Sequence, residues 1–199
     1  MNDFRNEHSS AGPLVPALRS LTEWLESRRV PHVLIGGIAA SILGHSQATH
    51  DIGVLVNLDD DALKSFVDSG VSYGFSPRIS DCMAFAAESR VLLMRHAQTL
   101  VDVDVVLAGL AFEKDVIAGG RLVPFGRSGV YLPRREDLIV MKCVAARPRD
   151  VADAEGLISA ADKIDWDYVM NWARQFAAAL DSSEITATLE RLRRQIEHA

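Results

Sequence analysis

The chain has 199 residues, of which 48% are hydrophobic and 24% charged, a composition typical of a globular protein with one domain or a small domain and a helical appendage. The sequence contains no apolar run of the roughly 18 residues that cross a membrane, and its polar N-terminus lacks the apolar segment of a secretion signal, so we expect a cytoplasmic protein. The net charge of -6 excludes a general attraction to nucleic acid, although a local basic patch could still bind RNA.

The first elements along the chain are predicted to be a helix and a short buried strand. Residues 1–13 are expected to form a loose tail. Apolar residues then recur at helical spacing between Pro16 and Pro31. The apolar run 33–35 predicts a buried strand that leads into a turn at Gly36-Gly37, and a short helix is expected after it.

The middle of the chain is predicted to contain most of the strands. Residues 51–56 are rich in isoleucine and valine, which favours a strand buried on both faces. Three aspartates at 59–61 are typical of a helix start. Further β-structure is expected over three segments: 74–94, 101–107 and 122–132.

The character of the chain changes after Pro133. From there the sequence predicts helices with breaks near Pro148, Asp165 and residues 182–183. A mixed first part followed by a helical part predicts the α+β class, with a core over 14–133 and a helical region over 134–199.

Carboxylates on the predicted strands indicate chemistry on phosphates. Phosphoryl and nucleotidyl transfer need divalent ions, and magnesium prefers carboxylate and phosphate oxygens. Asp102 and Asp104 are two residues apart on one strand and therefore point to the same face, while Asp51 begins another strand. The turn at Gly36-Gly37 would let backbone N–H groups approach phosphates.

The surroundings of these aspartates leave more than one explanation open. Aspartates within a strand as apolar as residues 100–109 are costly to bury without a cation or hydrogen-bond partners. A bound metal is the simplest explanation, but hydrogen bonds from Thr49 or Arg127 would also satisfy them. Alternatively, the aspartates only mark strand ends at the surface.

The pattern resembles the minimal nucleotidyltransferases of the DNA polymerase beta superfamily. The residues that carry this resemblance are Gly36, Gly37, Ala39, Gly44, Thr49, Asp51, Ile52, Asp104 and Gly109. Residues 136–153 are similar to the bacterial AbiEii-type nucleotidyltransferases, several of which are toxins of type IV toxin-antitoxin systems. The resemblance implies a nucleotidyltransferase-like mixed sheet flanked by helices, with a helical C-terminal extension.

The resemblance also implies roles for single residues near the sheet. Gly36 and Gly37 would contact the triphosphate of an NTP substrate. Asp51 would be the first metal-binding carboxylate and Asp104 the third, acting on the attacking hydroxyl, with two Mg²⁺ ions in an active form. Asp102 is a further candidate for the role given to Asp104.

A second group of site residues is implied on the helices. Lys142 would approach nucleotide phosphates, and Arg147, Asp150 and Asp153 would shape the site. The residues also allow other interpretations, because Lys142 could extend its amine into water and Arg147 could form a surface ion pair with Asp150.

The sequence departs from the family pattern at two positions. Gln47 stands where relatives commonly carry arginine. Gly53 stands where the family has its second carboxylate, which is shared by both metal ions. Gly53 would be explained by an engineered inactivating change, by a natural variant whose metal is held by Asp51, Asp102 and Asp104, or by a protein that has lost catalysis.

Two functions follow from this pattern. The first is a metal-dependent nucleotidyltransferase that moves an NMP from an NTP to a hydroxyl acceptor, which is tRNA for toxin relatives and a small molecule for antibiotic-modifying ones. The alternative is a non-catalytic nucleotide-binding or antitoxin-type partner protein with the same fold. Binding of tRNA would call for a basic surface, for which the candidates are Arg134, Arg135, Arg147, Arg149, Arg191, Arg193 and Arg194.

Overall fold

The computed structural model of the chain describes residues 12–44, 49–126 and 128–197. The chain divides into two compact units, which we call the N-terminal unit (Met1–Ile38 and Ala48–Leu132) and the C-terminal unit (Ala39–Gln47 and Pro133–Ala199). The predicted tail falls almost entirely outside the described residues, as do Gln47 and Arg127. The predicted domain boundary at residues 133 and 134 stays a prediction.

Within the described ranges the chain forms seven strands and nine α-helices. The strands are β1 (His32–Ile35), β2 (Asp51–Val56), β3 (Phe75–Pro77), β4 (Val91–His96), β5 (Asp102–Leu107), β6 (Arg121–Phe125) and β7 (Ser128–Leu132). The helices are α1 (Leu14–Ser27), α2 (Gly36–Ile42), α3 (Asp60–Gly70), α4 (Cys82–Ser89), α5 (Ala111–Ala118), α6 (Arg135–Ala145), α7 (Pro148–Ser159), α8 (Trp166–Ala179) and α9 (Glu184–Glu197).

The N-terminal unit contains a five-stranded mixed sheet with the order β1-β2-β5-β4-β3. Strands β2 and β5 are parallel, and the other neighbouring pairs are antiparallel. The predicted hairpin forms a separate two-stranded sheet from β6 and β7. This architecture confirms the predicted α+β class.

The core of the N-terminal unit lies where helices cover one face of the sheet. Trp24 of α1 stacks on Phe66 of α3 with ring centroids 4.1 Å apart, and on Phe75 of β3 at 5.2 Å. On the strands, Ile52 and Val103 are fully buried. The residues directly before and after Ile52 and Val103 are more exposed, because successive side chains of a strand point to opposite faces.

The observed elements differ from what the sequence predicts in three places. The segment 74–94 contains α4 as well as β3 and β4, because the short run 82–89 has apolar residues on all sides and therefore shows no helical stripe. No element was predicted for α5. Strand β2 is buried on both faces only in its second half, since Asp51 at its start is exposed.

The C-terminal unit is built mainly from α6, α7, α8 and α9, whose boundaries follow local signals. Pro148 occupies the first turn of α7, where its missing N–H is tolerated. The side chain of Asp165 accepts a hydrogen bond from the backbone N–H of Tyr168 at 3.0 Å and so caps α8. The predicted helix breaks near Pro148, Asp165 and 182–183 are confirmed. None of the described helices is long and apolar enough to cross a membrane.

Candidate functional site

Strand register gathers the predicted aspartates of the N-terminal unit on one face of the sheet. In the parallel pair of β2 and β5, Asp51 lies opposite Asp102 and Gly53 lies opposite Asp104. Paired neighbours and residues two apart share a face, so these four positions point the same way. We call Asp51, Asp102 and Asp104 the acidic face. Two strands from separate parts of the sequence thus supply three carboxylates at one place.

The carboxylates of the acidic face are partly exposed, and this differs from the burial that the apolar sequence of β5 suggested. The side chain of Asp102 is 29% exposed and that of Asp104 is 41% exposed. The intervening residue Val103 is fully buried. The apolar character of β5 therefore reflects its other face, because only alternate residues enter the core.

Two arginines that the sequence analysis did not connect with the site bind the acidic face. Arg78 donates to Asp102 Oδ2 at 2.9 Å and also to Asp104 Oδ1. Arg95 lies opposite Asp102 in the pair of β4 and β5 and donates to both of its carboxylate oxygens, at 2.6 and 3.2 Å. These arginines, rather than Thr49, satisfy Asp102 and Asp104. No sequence signal identifies Arg78, which follows Pro77 at the end of the short edge strand.

The two aspartates of β5 differ in their electrostatic environment. The hydrogen bond from Arg95 is the main cause that lowers the pKa of Asp102, and Arg78 acts in the same direction. Burial raises the pKa of Asp104, and the charges of Asp51 and Asp102 raise it further, whereas Arg78 opposes them. The neighbouring carboxylates therefore favour positive charge beside Asp104, part of which Arg78 supplies.

Asp51 and Gly36 lie near each other at one end of the sheet. Ile35 pairs with Gly53 in the antiparallel pair of β1 and β2, so the chain that continues from Ile35 reaches Gly36 at the Asp51 end of β2. Gly36 has φ +72°, a left-handed conformation that favours glycine, and a Cβ atom there would meet no atom within 4 Å. Thr49 Oγ1 donates to Asp51 Oδ1 at 2.8 Å. Gly37 follows in the first turn of α2.

Gly53 has limited room for a side chain. A Cβ atom there would lie 3.1 Å from Ile35 Cγ1 and 3.3 Å from the carbonyl oxygen of Ile35. The backbone conformation itself does not require glycine, because its φ is outside the left-handed region. An aspartate at this position would therefore fit only if Ile35 shifted by a few tenths of an ångström.

The predicted residues on the helices form a cluster within the C-terminal unit. Lys142 Nζ donates to Asp150 Oδ1 at 2.9 Å and to Asp153 Oδ2 at 2.6 Å. The side chains are 13%, 12% and 3% exposed, respectively. Arg147 Nε lies 3.6 Å from Asp150 Oδ2, as expected for a pair three residues apart on a helix. The buried amine of Lys142 thus has anionic partners in the protein itself rather than extending into water.

The chemistry of the acidic face suits a magnesium-type ion only in part. Carboxylate oxygens are the ligands that Mg²⁺ prefers, and Mg²⁺ commonly uses one or two of them together with substrate phosphates. Gly53 supplies no shared carboxylate for a second ion, and Arg78 is bound to Asp102 and Asp104. Over the described ranges, no group of three or more His, Cys, Asp or Glu side chains is arranged to hold a metal ion. Because position 53 supplies no carboxylate, the described part of the acidic face offers one ligand fewer than the family pattern implies.

Comparison with protein families gives one match over most of the chain. The family is described as a nucleotidyltransferase of unknown function (DUF6036), and its model matches residues 17–198. No curated protein matches the sequence.

Solved structures of similar fold have low sequence identity. A nucleotidyltransferase-like antigenic protein from Paracoccidioides brasiliensis has a TM-score of 0.58 and 15% identity, over 94% of this chain and 89% of that chain. The lincosamide antibiotic adenylyltransferase LnuA, solved with lincomycin bound, has a TM-score of 0.52 and 13% identity, over 72% of this chain and 96% of that one. The antibiotic-resistance factor ANT(2'')-Ia has a TM-score of 0.50 and 13% identity, over 93% and 94% of the two chains. This likeness confirms the predicted nucleotidyltransferase-like fold.

Proposed function

Because the chain belongs to the nucleotidyltransferase family of unknown function DUF6036, we propose that it moves a nucleoside monophosphate from an NTP to a hydroxyl group and releases pyrophosphate. The observation that carries this proposal is the acidic face, where Asp51, Asp102 and Asp104 converge on neighbouring strands. Such transfer depends mainly on positioning and on stabilising negative charge, and a cluster of carboxylates serves that purpose through a divalent cation.

Asp51 and Asp104 are proposed to hold one Mg²⁺ ion together with the phosphates of the NTP. When bound, the ion would neutralise charge on the triphosphate and favour the deprotonated form of the attacking hydroxyl. Asp104 is suited to this role because burial and the charges of Asp51 and Asp102 raise its pKa, so that an added cation is favourable there. The second ion implied by the family pattern lacks its shared carboxylate at Gly53.

Gly36 and Gly37 are proposed to contact the triphosphate. The support is that Gly36 lies at the same end of β2 as Asp51 and has open space where a side chain would otherwise stand. A backbone without side chains allows phosphate oxygens to approach N–H groups closely. Lys142, Arg147 and Asp150 are also proposed to bind the nucleotide, as the family resemblance implies. For Lys142 this role requires that phosphate compete with Asp150 and Asp153 for its amine.

The acceptor is proposed to be a small hydroxylated molecule or a tRNA 3' end. The first class is supported by the fold shared with an adenylyltransferase solved with lincomycin. The second rests on the AbiEii-type resemblance, under which the protein would be a bacterial toxin acting in the cytoplasm beside an antitoxin partner. Of the arginines that would bind tRNA, Arg134 donates to the Tyr168 hydroxyl and Arg135 donates to the Leu157 carbonyl. These two arginines therefore use part of their hydrogen-bonding capacity within the protein.

Transfer of labelled nucleotide tests the proposal. The chain is incubated with each labelled NTP, Mg²⁺ and a panel of tRNAs and hydroxylated antibiotics, and label on the acceptor is measured. We expect transfer by the native chain and a loss of about a thousandfold for Asp104→Asn. Arg19→Gln, a change of a surface residue of α1 away from the acidic face, serves as the control and should leave transfer unchanged.

Two substitutions at Gly53 separate this proposal from the non-catalytic alternative. Gly53→Asp restores the family carboxylate, and Gly53→Ala adds the same Cβ atom beside Ile35 without a charge. Transfer by Gly53→Asp alone would show that the native chain is an inactive form or a binding partner. If neither the native chain nor Gly53→Asp transfers label or binds an NTP with Mg²⁺, the enzymatic proposal is wrong.

A further inference from the structure

The strongest unassigned feature of the molecule is the position of Arg78. It follows the edge strand β3, and its backbone N–H donates to the carbonyl of Leu93 on β4 at 2.8 Å. From there its side chain reaches past β4 to β5, where one terminal nitrogen binds Asp102 and the other binds Asp104. A guanidinium group is planar and presents its donors in a fixed fork, so it suits two carboxylates side by side.

The side chain of Arg78 is more buried than that of Arg95, which also binds the acidic face. Its side chain is 22% exposed, whereas that of Arg95 is 48% exposed. The Nε atom of Arg78 is buried and has no hydrogen-bond partner among the described residues. A buried donor without a partner is unfavourable. The bonds of its two terminal nitrogens to Asp102 and Asp104 therefore offset the cost of burying Nε without a partner.

The charges at the acidic face favour a single added cation. Among the described residues, three carboxylates face the two guanidinium groups of Arg78 and Arg95, which leaves one formal negative charge. The family pattern would add a further carboxylate at position 53, directly opposite Asp104. In this chain that carboxylate is missing, and the guanidinium of Arg78 binds Asp104 instead.

We propose that Arg78 is the resident counter-ion of the acidic face and replaces one of the two divalent ions of the family pattern. This inference deepens the proposed function and rests on it for the use of Asp51 and Asp104 as ligands of the remaining ion. An arginine is positively charged without any metal ligand. Arg78 can therefore balance negative charge at the acidic face although Gly53 supplies no carboxylate for a second ion.

Binding of Mn²⁺ tests this inference without any turnover. Electron paramagnetic resonance counts the Mn²⁺ ions bound per chain in the presence of a non-hydrolysable NTP analogue. We expect one ion for the native chain. For Arg78→Met we expect the bound ion to be held at least about tenfold more tightly, because removing a neighbouring positive charge strengthens attraction for a cation.

Two further variants make the result specific to Arg78. Arg95→Met removes a more exposed guanidinium that, in the described part of the chain, binds Asp102 and not Asp104, so the increase in ion affinity should be clearly smaller. Arg78→Lys keeps the positive charge and should retain one ion per chain, which also covers the case that Arg78→Met does not fold. Circular dichroism confirms the fold of each variant.

The inference is overturned if the native chain binds two ions, if it binds none, or if Arg78→Met and Arg95→Met show equal gains. These outcomes differ from failure of the proposed function, which is measured as absence of nucleotide transfer. A native chain that binds one ion, with tighter binding in Arg78→Met but no transfer of label, would support the role of Arg78 and reject catalysis.

Discussion

Gly53 lies directly opposite Asp104 in the parallel pairing of β2 and β5. An aspartate at position 53 would therefore place its carboxylate beside that of Asp104, on the same face of the sheet. Because the pKa of Asp104 is already raised by burial and by neighbouring carboxylates, a further negative charge there is unfavourable unless a cation binds. We therefore expect position 53 to influence how many metal ions the site can hold.

We predict that Gly53→Asp makes stability dependent on divalent ions. Without them its melting temperature should fall below that of Gly53→Ala by about 2 °C, since like charges that face each other across strands are destabilising. Addition of Mg²⁺ should close this difference. Differential scanning fluorimetry with and without Mg²⁺ measures both values. An equal response of Gly53→Ala to Mg²⁺ would contradict the prediction.

Lys142 is predicted to be essential for the stability of the C-terminal unit. Lys142→Met removes the buried amine that donates to both Asp150 and Asp153, so the free energy of unfolding should fall by about 3–5 kcal/mol. Replacing both aspartates by asparagine in the same variant should recover much of the loss. Urea unfolding followed by circular dichroism provides the comparison.

A matched control for Lys142 is available on α3. Lys64 forms a similar ion pair with Asp68 at 2.7 Å, but there the side chains are 78% and 63% exposed. Lys64→Met should have no measurable effect on stability, because water screens such a pair. Equal losses of unfolding free energy for Lys64→Met and Lys142→Met would show that burial does not cause the large loss expected for Lys142→Met.

Trp24 is predicted to be a main source of stability in the N-terminal unit. It is fully buried between Phe66 and Phe75, and its Nε1 donates to Ser69 Oγ at 2.9 Å. Trp24→Ala should lower the free energy of unfolding by about 3–5 kcal/mol, measured by urea unfolding. Val71→Ala, at a side chain that is 68% exposed, should change it by less than about 0.5 kcal/mol. A decrease in unfolding free energy of less than about 1 kcal/mol for Trp24→Ala would be close to the measurement error and would rule out this role.

Two buried histidines should make the protein less stable in mild acid. Burial lowers the pKa of His32, whose Nδ1 donates to the carbonyl of Val30 at 2.8 Å, and burial also lowers the pKa of His96. As the pH falls towards and below the ordinary histidine pKa of 6.5, the unfolded chain takes up more protons than the folded one, so stability falls. The slope should reach up to about 1.4 kcal/mol per pH unit for each histidine.

Unfolding measured between pH 7 and pH 5 tests the role of these histidines. We expect the slope to decrease in His32→Gln and to decrease further when His96→Gln is added, although both changes lower stability at neutral pH. An unchanged slope in the double variant would assign the acid sensitivity to other groups.

Part of the acidic face could be predicted from the sequence because strand geometry is a local rule. Asp102 and Asp104 are two residues apart on a strand, so their shared face follows from strand geometry alone. The burial of these aspartates was overestimated, because the apolar residues between them belong to the opposite face. Segment 82–89 was not identified as a helix, since its apolar residues show no preferred side.

What the sequence determined by itself was therefore the class of fold, most element boundaries and the strands that carry the aspartates, because these depend on the spacing of neighbouring residues. Only the tertiary structure showed that Arg78 binds Asp102 and Asp104, and that Lys142 is enclosed by Asp150 and Asp153. Strand order and register bring Arg78 to partners 24 and 26 residues away, and no spacing rule along the chain encodes such a contact.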